Sequence, residues 1–196
     1  MLFGIGNNKN NTNKYSLPQR KPTKRLGIPL PPKIKTNTHY NIPKSEEKPY
    51  WGPPTWILFH SLAEKIKDEH FNTIKTELCN YILKVCLQLP CPICAKHARE
   101  YMKSVNFNNI TTKQSLKKML FDFHNAVNDR KNYSKFTMSE LESTYSKSDL
   151  IPVFNNFLKN YHTNGMVRYM SETITRNELK KQFSGWFKKN MHCFVV

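Results

Sequence analysis

The chain has 196 residues, enough for one ordinary domain with extensions. Its 31 Lys and Arg against 14 Asp and Glu give a formal charge of +17, which favours phosphates or acidic surfaces but also keeps a protein in solution. No apolar run approaches the roughly 18 to 20 residues that span a bilayer, and the apolar start Met1 to Ile5 is too short for a signal-peptide core. The sequence therefore reads as a non-membrane chain that is not secreted by the standard route.

Residues 1–48 hold ten Lys and Arg, two Glu and six of the twelve prolines, with almost no periodic apolar pattern. Such a segment buries too little surface to offset its ordering entropy, and is expected to be a disordered basic tail. It serves either as a docking arm for polyanions or as a solvated linker. From Trp51 the pattern changes: Trp56, Leu58, Phe59, Leu62 and Ile66 recur at helical spacing, with Pro53 and Pro54 suited to a first turn. A second helix is expected over 71–88, stopping at Pro90, a third from about Cys91 to Ser104, and a fourth from Lys113 to Arg130. The fourth would turn Leu116, Met119, Leu120, Phe123 and Val127 inward, and a short fifth covers about Ser139 to Tyr145. Two more amphipathic stretches, about 149–162 and 176–190, look like a helical extension. No convincing period-two alternation appears, so the fold class is all-α, with a tail over 1–48, a core over 49–146 and an extension over 147–196.

Five cysteines are too few for a disulfide scaffold, and four of them, Cys79, Cys86, Cys91 and Cys94, fall within 16 residues. Cys91-Pro92-Ile93-Cys94 is a C-x-x-C at the expected start of a helix, where backbone N–H groups and the helix dipole favour a thiolate. Such a pair can close a small disulfide ring and exchange electrons reversibly. Zinc is the competing reading, with His97 and Cys86 as further ligand types, but the chain has no second Cys-x-x-Cys or His-x-x-x-His. A thioredoxin-like reading lacks the βαβ pattern around Cys91.

Two further clusters accompany the dithiol. Trp56 and His60 are four residues apart on one helix face, and His124, Val127 and Asn128 share another, with Asn125 beside it. Singly these are core residues, buried imidazoles and helix-end caps. Together they suit a flat, hydrogen-bonding redox cofactor, and no Rossmann motif competes to hold one.

Trp51-Gly52-Pro53 with Trp56 and His60, Cys91-Pro92-Ile93-Cys94 with His97, and His124-Asn125-Ala126-Val127-Asn128 resemble, in order and spacing, the motifs of the Erv/ALR FAD-linked sulfhydryl oxidases, including those of large DNA viruses. The resemblance covers roughly 51–145. It implies a four-helix bundle with a short fifth helix, binding FAD, usually as a homodimer. It also implies that Cys91 exchanges with a substrate or shuttle thiol and Cys94 passes electrons to the flavin, with O2 reduced to hydrogen peroxide and protein dithiols as substrate. Trp56, His60, His97, His124, Asn125, Val127 and Asn128 would contact FAD, and Phe136 and Tyr145 would lie near its adenine end.

The family's usual Lys after the H-N-x-V-N element is replaced by Tyr133, which leaves Arg130, Lys131 or Lys135 to meet the FAD phosphates. Met138 stands where many members have a cysteine of a structural disulfide, so the extension from 147 is expected to brace the fifth helix. No cysteine precedes Cys79, and Cys193 is therefore the outlying shuttle candidate, against a buried or idle thiol. Cys79 and Cys86, seven residues apart, would stand about 10.5 Å apart along one helix, too far for a disulfide. They read as small buried hydrophobes. The alternative function is a basic, zinc-containing nucleic-acid-binding protein without enzymatic activity. For an oxidase of this type without a secretory signal, a viral factory in the host cytoplasm or a virion is the expected location, and the Lys- and Asn-rich composition is compatible with an AT-rich genome.

Overall fold

The computed structural model describes residues 50–162 and 170–195, and the basic tail lies outside the described residues. Among the described residues seven α-helices follow one another: α1 Gly52–Lys65, α2 Asp68–Leu87, α3 Pro92–Ser104, α4 Lys113–Arg130, α5 Met138–Tyr145, α6 Leu150–Asn160 and α7 Met170–Asn190. No strand occurs among the described residues, only one isolated antiparallel bridge between Ile66 and Phe194. The expected all-α bundle is observed.

Local chemistry sets most helix ends. Pro53 and Pro54 occupy the first turn of α1, where a missing N–H costs nothing. Asp68 and Glu69 open α2, complementing the positive end of its dipole, so that helix starts earlier than the apolar stripe at 71 suggested. Cys91 caps α3, its Sγ accepting from the Cys94 N–H at 3.3 Å. Thr112 with Ser115 and Thr137 with Glu140 form capping boxes at the starts of α4 and α5.

α1 is the central element. Six successive residues, Leu58 to Ala63, are buried, the pattern of a helix enclosed on every side. It packs against α4, α5 and α6, while α2 packs against α3 and α7. The two C-terminal helices are therefore part of the core. Phe154, Phe157, Tyr161, Phe183, Phe187 and Phe194 are all at most 4% exposed and join one apolar cluster with Leu58, Leu62 and Ile66. Tyr161 donates its hydroxyl to the Val85 carbonyl at 2.8 Å, and the Trp186 indole N–H donates to Glu77 Oε2 at 2.8 Å, so both helices are also tied to α2 by hydrogen bonds.

The brace on α5 is different from the one expected. Lys117 of α4 reaches Glu64 of α1 and Glu142 of α5, each at 2.8 Å, and Leu141 is buried beneath. The main packing partners of the C-terminal helices are instead α1 and α2.

Because Phe183 is fully buried at the centre of the C-terminal cluster, Phe183→Ala is expected to lower unfolding free energy by about 3–5 kcal/mol in urea titration. A loss under about 1 kcal/mol, the size of an ordinary surface change, would mean that the C-terminal helices are peripheral.

Candidate functional site

The facing sides of α1 and α4 carry a stack of rings. Trp56 lies over His124 with centroids 4.0 Å apart and planes 9° apart, and His60 lies over Tyr145 at 4.9 Å and 13°. Phe136 tilts against His124 at 4.9 Å. His60 Nε2 and His124 Nδ1 are 3.0 Å apart, a hydrogen bond that joins residues 64 positions apart in the chain.

Burial is the main reason these imidazoles stay neutral. It holds the pKa of His60 down at about 3, with a further contribution from His124, and that of His124 at about 4. A neutral imidazole has one N–H and one lone pair. Whichever ring donates across the 3.0 Å contact, the pair retains one further donor and one further acceptor.

The segment after α4 closes over this stack. Asn132, the only non-glycine among the described residues with positive φ (56°), ends the helix in a left-handed turn. Tyr133 N–H donates to the Asn128 carbonyl and Asn132 N–H to that of Asp129, the paired bonds of a Schellman cap. Asn125 then clamps Phe136 twice, donating to its carbonyl at 3.0 Å and accepting from its N–H at 2.9 Å. Asn128 donates to the Ser134 carbonyl at 3.1 Å.

A cavity of about 490 Å³ results, walled by Trp56, His124, Val127, Asn128, Phe136 and Tyr145, with Gly52, Lys131, Tyr133 and Ser134 around it. A narrower cleft of about 50 Å³ shares Gly52, Trp56, Val127 and Lys131 with it and is also lined by Cys94, Cys86, Ala98, Phe123 and Arg130. The two make one continuous slot, aromatic at one end and bearing a thiol at the other. An aromatic wall, one hydrogen-bonding nitrogen of the neutral His124 imidazole, and cations at Lys131 and Arg130 fit FAD, which combines a flat ring system with phosphates.

Cys91 and Cys94 are both half-buried free thiols. Burial raises the Cys94 pKa to about 11, reinforced by the hydrogen bond and charge of Cys91 and opposed by Lys131 and Arg130. The thiolate-favouring helix start expected from the sequence is thus outweighed at Cys94 by desolvation. Cys79 and Cys86 are buried, as their helical spacing suggested, and Cys86 stands beside the slot.

Not every candidate converges. His60 lies behind the wall, in contact with Trp56, His124 and Tyr145. Asn125 holds the loop and is not part of the wall, and His97, one turn beyond Cys94, lines neither cavity. Cys193 is buried beside His192, and its carbonyl accepts from Lys67 N–H at the start of α2. Cys91 follows the far end of that 20-residue helix, a separation along its axis of about 30 Å. Among the three basic candidates, Lys135 is paired with Asp129 at 2.8 Å, whereas Lys131 lines both cavities. No group of three His, Cys, Asp or Glu able to hold a metal occurs among the described residues.

The neutral histidine pair makes stability depend on pH. Both pKa values lie below the ordinary 6.5, so the unfolded chain binds protons that the folded chain excludes. Stability should be complete above about pH 6.5 and fall on acidification by about 1.4 kcal/mol per pH unit for each histidine. Urea unfolding between about pH 6.5 and 5, above the ordinary carboxylate range, checks this. A flat profile would mean that one or both imidazoles are charged in the fold.

A model of the Erv1 / Alr family matches residues 53–146, a span that holds α1 to α5 and all the slot residues except Trp51 and Gly52. The FAD-linked sulfhydryl oxidase of African swine fever virus, isolate Pig/Kenya/KEN-50/1950, is 32% identical over 101 residues, covering 52% of this chain and 84% of that protein. The protein of the same name from isolate Warthog/Namibia/Wart80/1980 is 32% identical over 101 residues, with the same shares. Protein 347L of Invertebrate iridescent virus 6 is 28% identical over 86 residues, covering 41% of this chain and 78% of its own. No solved structure matches the chain. With its helical core, its C-x-x-C and its aromatic slot inside the matched span, the chain belongs to the Erv1 / Alr family.

Proposed function

We propose that Cys91 and Cys94 are the redox pair with which this FAD-dependent thiol oxidase forms disulfides in protein dithiols, with O2 as the final electron acceptor. The observation that carries the assignment is the placement of Cys94 in the cleft that continues into the aromatic slot. Cys91 lines neither cavity and caps the helix whose next residues include Ile93, an apolar side chain 68% exposed. That division supports Cys91 as the sulfur that meets substrate and Cys94 as the one that faces the cofactor.

From the oxidised pair, a substrate thiolate attacks Cys91 Sγ, the Cys91–Cys94 bond breaks, and a mixed disulfide forms at Cys91 with Cys94 released as thiolate. The second substrate thiol loses its proton and attacks the substrate sulfur of that mixed disulfide, so Cys91 leaves as thiolate. The substrate has lost two electrons, which now reside on the Cys91 and Cys94 sulfurs. While Cys91 is in the mixed disulfide it neither hydrogen-bonds to Cys94 as a thiol nor carries charge, so two of the causes that raise the Cys94 pKa are absent. The opposing pull of Lys131 and Arg130 remains.

Bound FAD supplies a two-electron acceptor that returns the electrons to O2 as hydrogen peroxide. Trp56, His124, Val127, Asn128, Phe136 and Tyr145 would hold it, with His60 fixing the rings from behind. Asn125 positions Phe136, and Lys131 is the best placed cation for its phosphates. His97 enters only through its place one turn after Cys94. Cys193 is a structural thiol in this reading, since its burial and its distance from Cys91 both argue against a shuttle within one chain. The homodimer and a polyanion-binding role for residues 1–48 belong to the same proposal, resting on the resemblance and on the ten basic residues of the tail.

Cys91→Ala and Cys94→Ala should each retain bound FAD yet lower dithiothreitol oxidation, followed as oxygen consumption, by roughly 100-fold or more. Near-normal turnover in either variant would remove that sulfur from the reaction.

A further inference from the structure

A third cavity, of about 380 Å³, shares Leu89 with the cleft that Cys94 lines. Its floor is apolar, formed by Leu87, Leu89, Pro92 and Ala95 at the junction of α2 and α3, and Pro92 directly follows Cys91. One wall carries Lys96 and Arg99 of α3; the other is α7, with Glu172, Thr175 and Arg176. Glu172 faces Arg176 at 3.8 Å within its own helix. Lys96 and Arg99 are exposed and have no carboxylate partner among the described residues. Gln88 also lines this cavity.

We propose that this groove holds the substrate polypeptide as it attacks Cys91, and that Lys96 and Arg99 select substrates with acidic side chains beside the reacting cysteine. The inference rests on Cys91 as the sulfur that meets substrate. An apolar floor that includes Pro92, the residue after Cys91, and two cations without a carboxylate partner among the described residues form a surface complementary to a short acidic segment with an apolar residue in it. Exposed Ile93 extends the apolar area on the other side of Pro92. The α7 wall lies outside the 53–146 span that matches the family, whereas Lys96 and Arg99 lie within it, so the groove joins a wall of the matched core to one from this chain's own C-terminal helix.

The test uses the full FAD-loaded chain and synthetic peptides with two cysteines flanked by Glu, by Lys or by neutral residues, with dithiothreitol as a small dithiol that needs no groove. The native protein should oxidise the acidic peptide with kcat/KM roughly five-fold above the basic one, a gap that narrows as salt rises. Lys96→Glu with Arg99→Glu should invert the preference, and Thr175→Trp should slow all peptides by obstructing the groove. Both changes should leave dithiothreitol oxidation near native; Arg99→Glu alone replaces the double variant if the latter folds poorly. Equal rates for acidic and basic peptides with the native chain, or a preference that survives the charge reversal, would overturn the proposal. Undiminished dithiothreitol oxidation by Cys91→Ala would instead overturn the assignment of Cys91 beneath it.

Discussion

The enclosure of α1 is the constraint from which the rest follows. With Leu58 to Ala63 all buried, the middle of this helix has no solvent face, and each direction around it must be matched by another element. α6 covers one side, while α4 and α5 cover the side that bears Trp56 and His60. Burial of a polar residue in such a helix is costly without a partner inside the protein, and the buried Ser61 hydroxyl has none among the described residues. His60 finds one in His124, and that hydrogen bond sets the spacing of α1 and α4 at the point where the slot opens.

The same enclosure fixes the electrostatics. Burial keeps the two imidazoles neutral and also raises the Cys94 pKa, so the slot is walled by uncharged rings while its positive charge sits at Lys131 and Arg130. A flat ring system thereby meets apolar faces and a few fixed hydrogen-bonding groups, and anionic groups meet cations at the edge.

Much of this was legible in the sequence because local rules and tertiary packing agree. The bounds of α4 match expectation because Thr112 and Ser115 close a capping box at one end and the stripe Leu116, Met119, Leu120 and Phe123 ends near Arg130. Helical spacing put Trp56 and His60 on one face and His124, Val127 and Asn128 on another, and the structure adds that Trp56 stacks on His124 and His60 on Tyr145. Three things were not legible. Periodicity identified α6 and α7 but not their partners, because an apolar stripe does not name the surface it will cover. That Lys131 lines both cavities while Lys135 pairs with Asp129 is a tertiary detail. At Cys94, helix dipole and burial act in opposite directions, and only the structure gives the depth of burial that decides between them.

The central claim is that Cys94 connects substrate thiols to the flavin slot, and the visible spectrum of the purified protein during anaerobic addition of dithiothreitol tests it most directly. The native chain should show a flavin spectrum that bleaches, then recovers with formation of hydrogen peroxide when oxygen is admitted. Cys94→Ala should retain the flavin colour and fail to bleach at a comparable rate. A colourless native protein, or equally fast bleaching in the variant, would contradict the account.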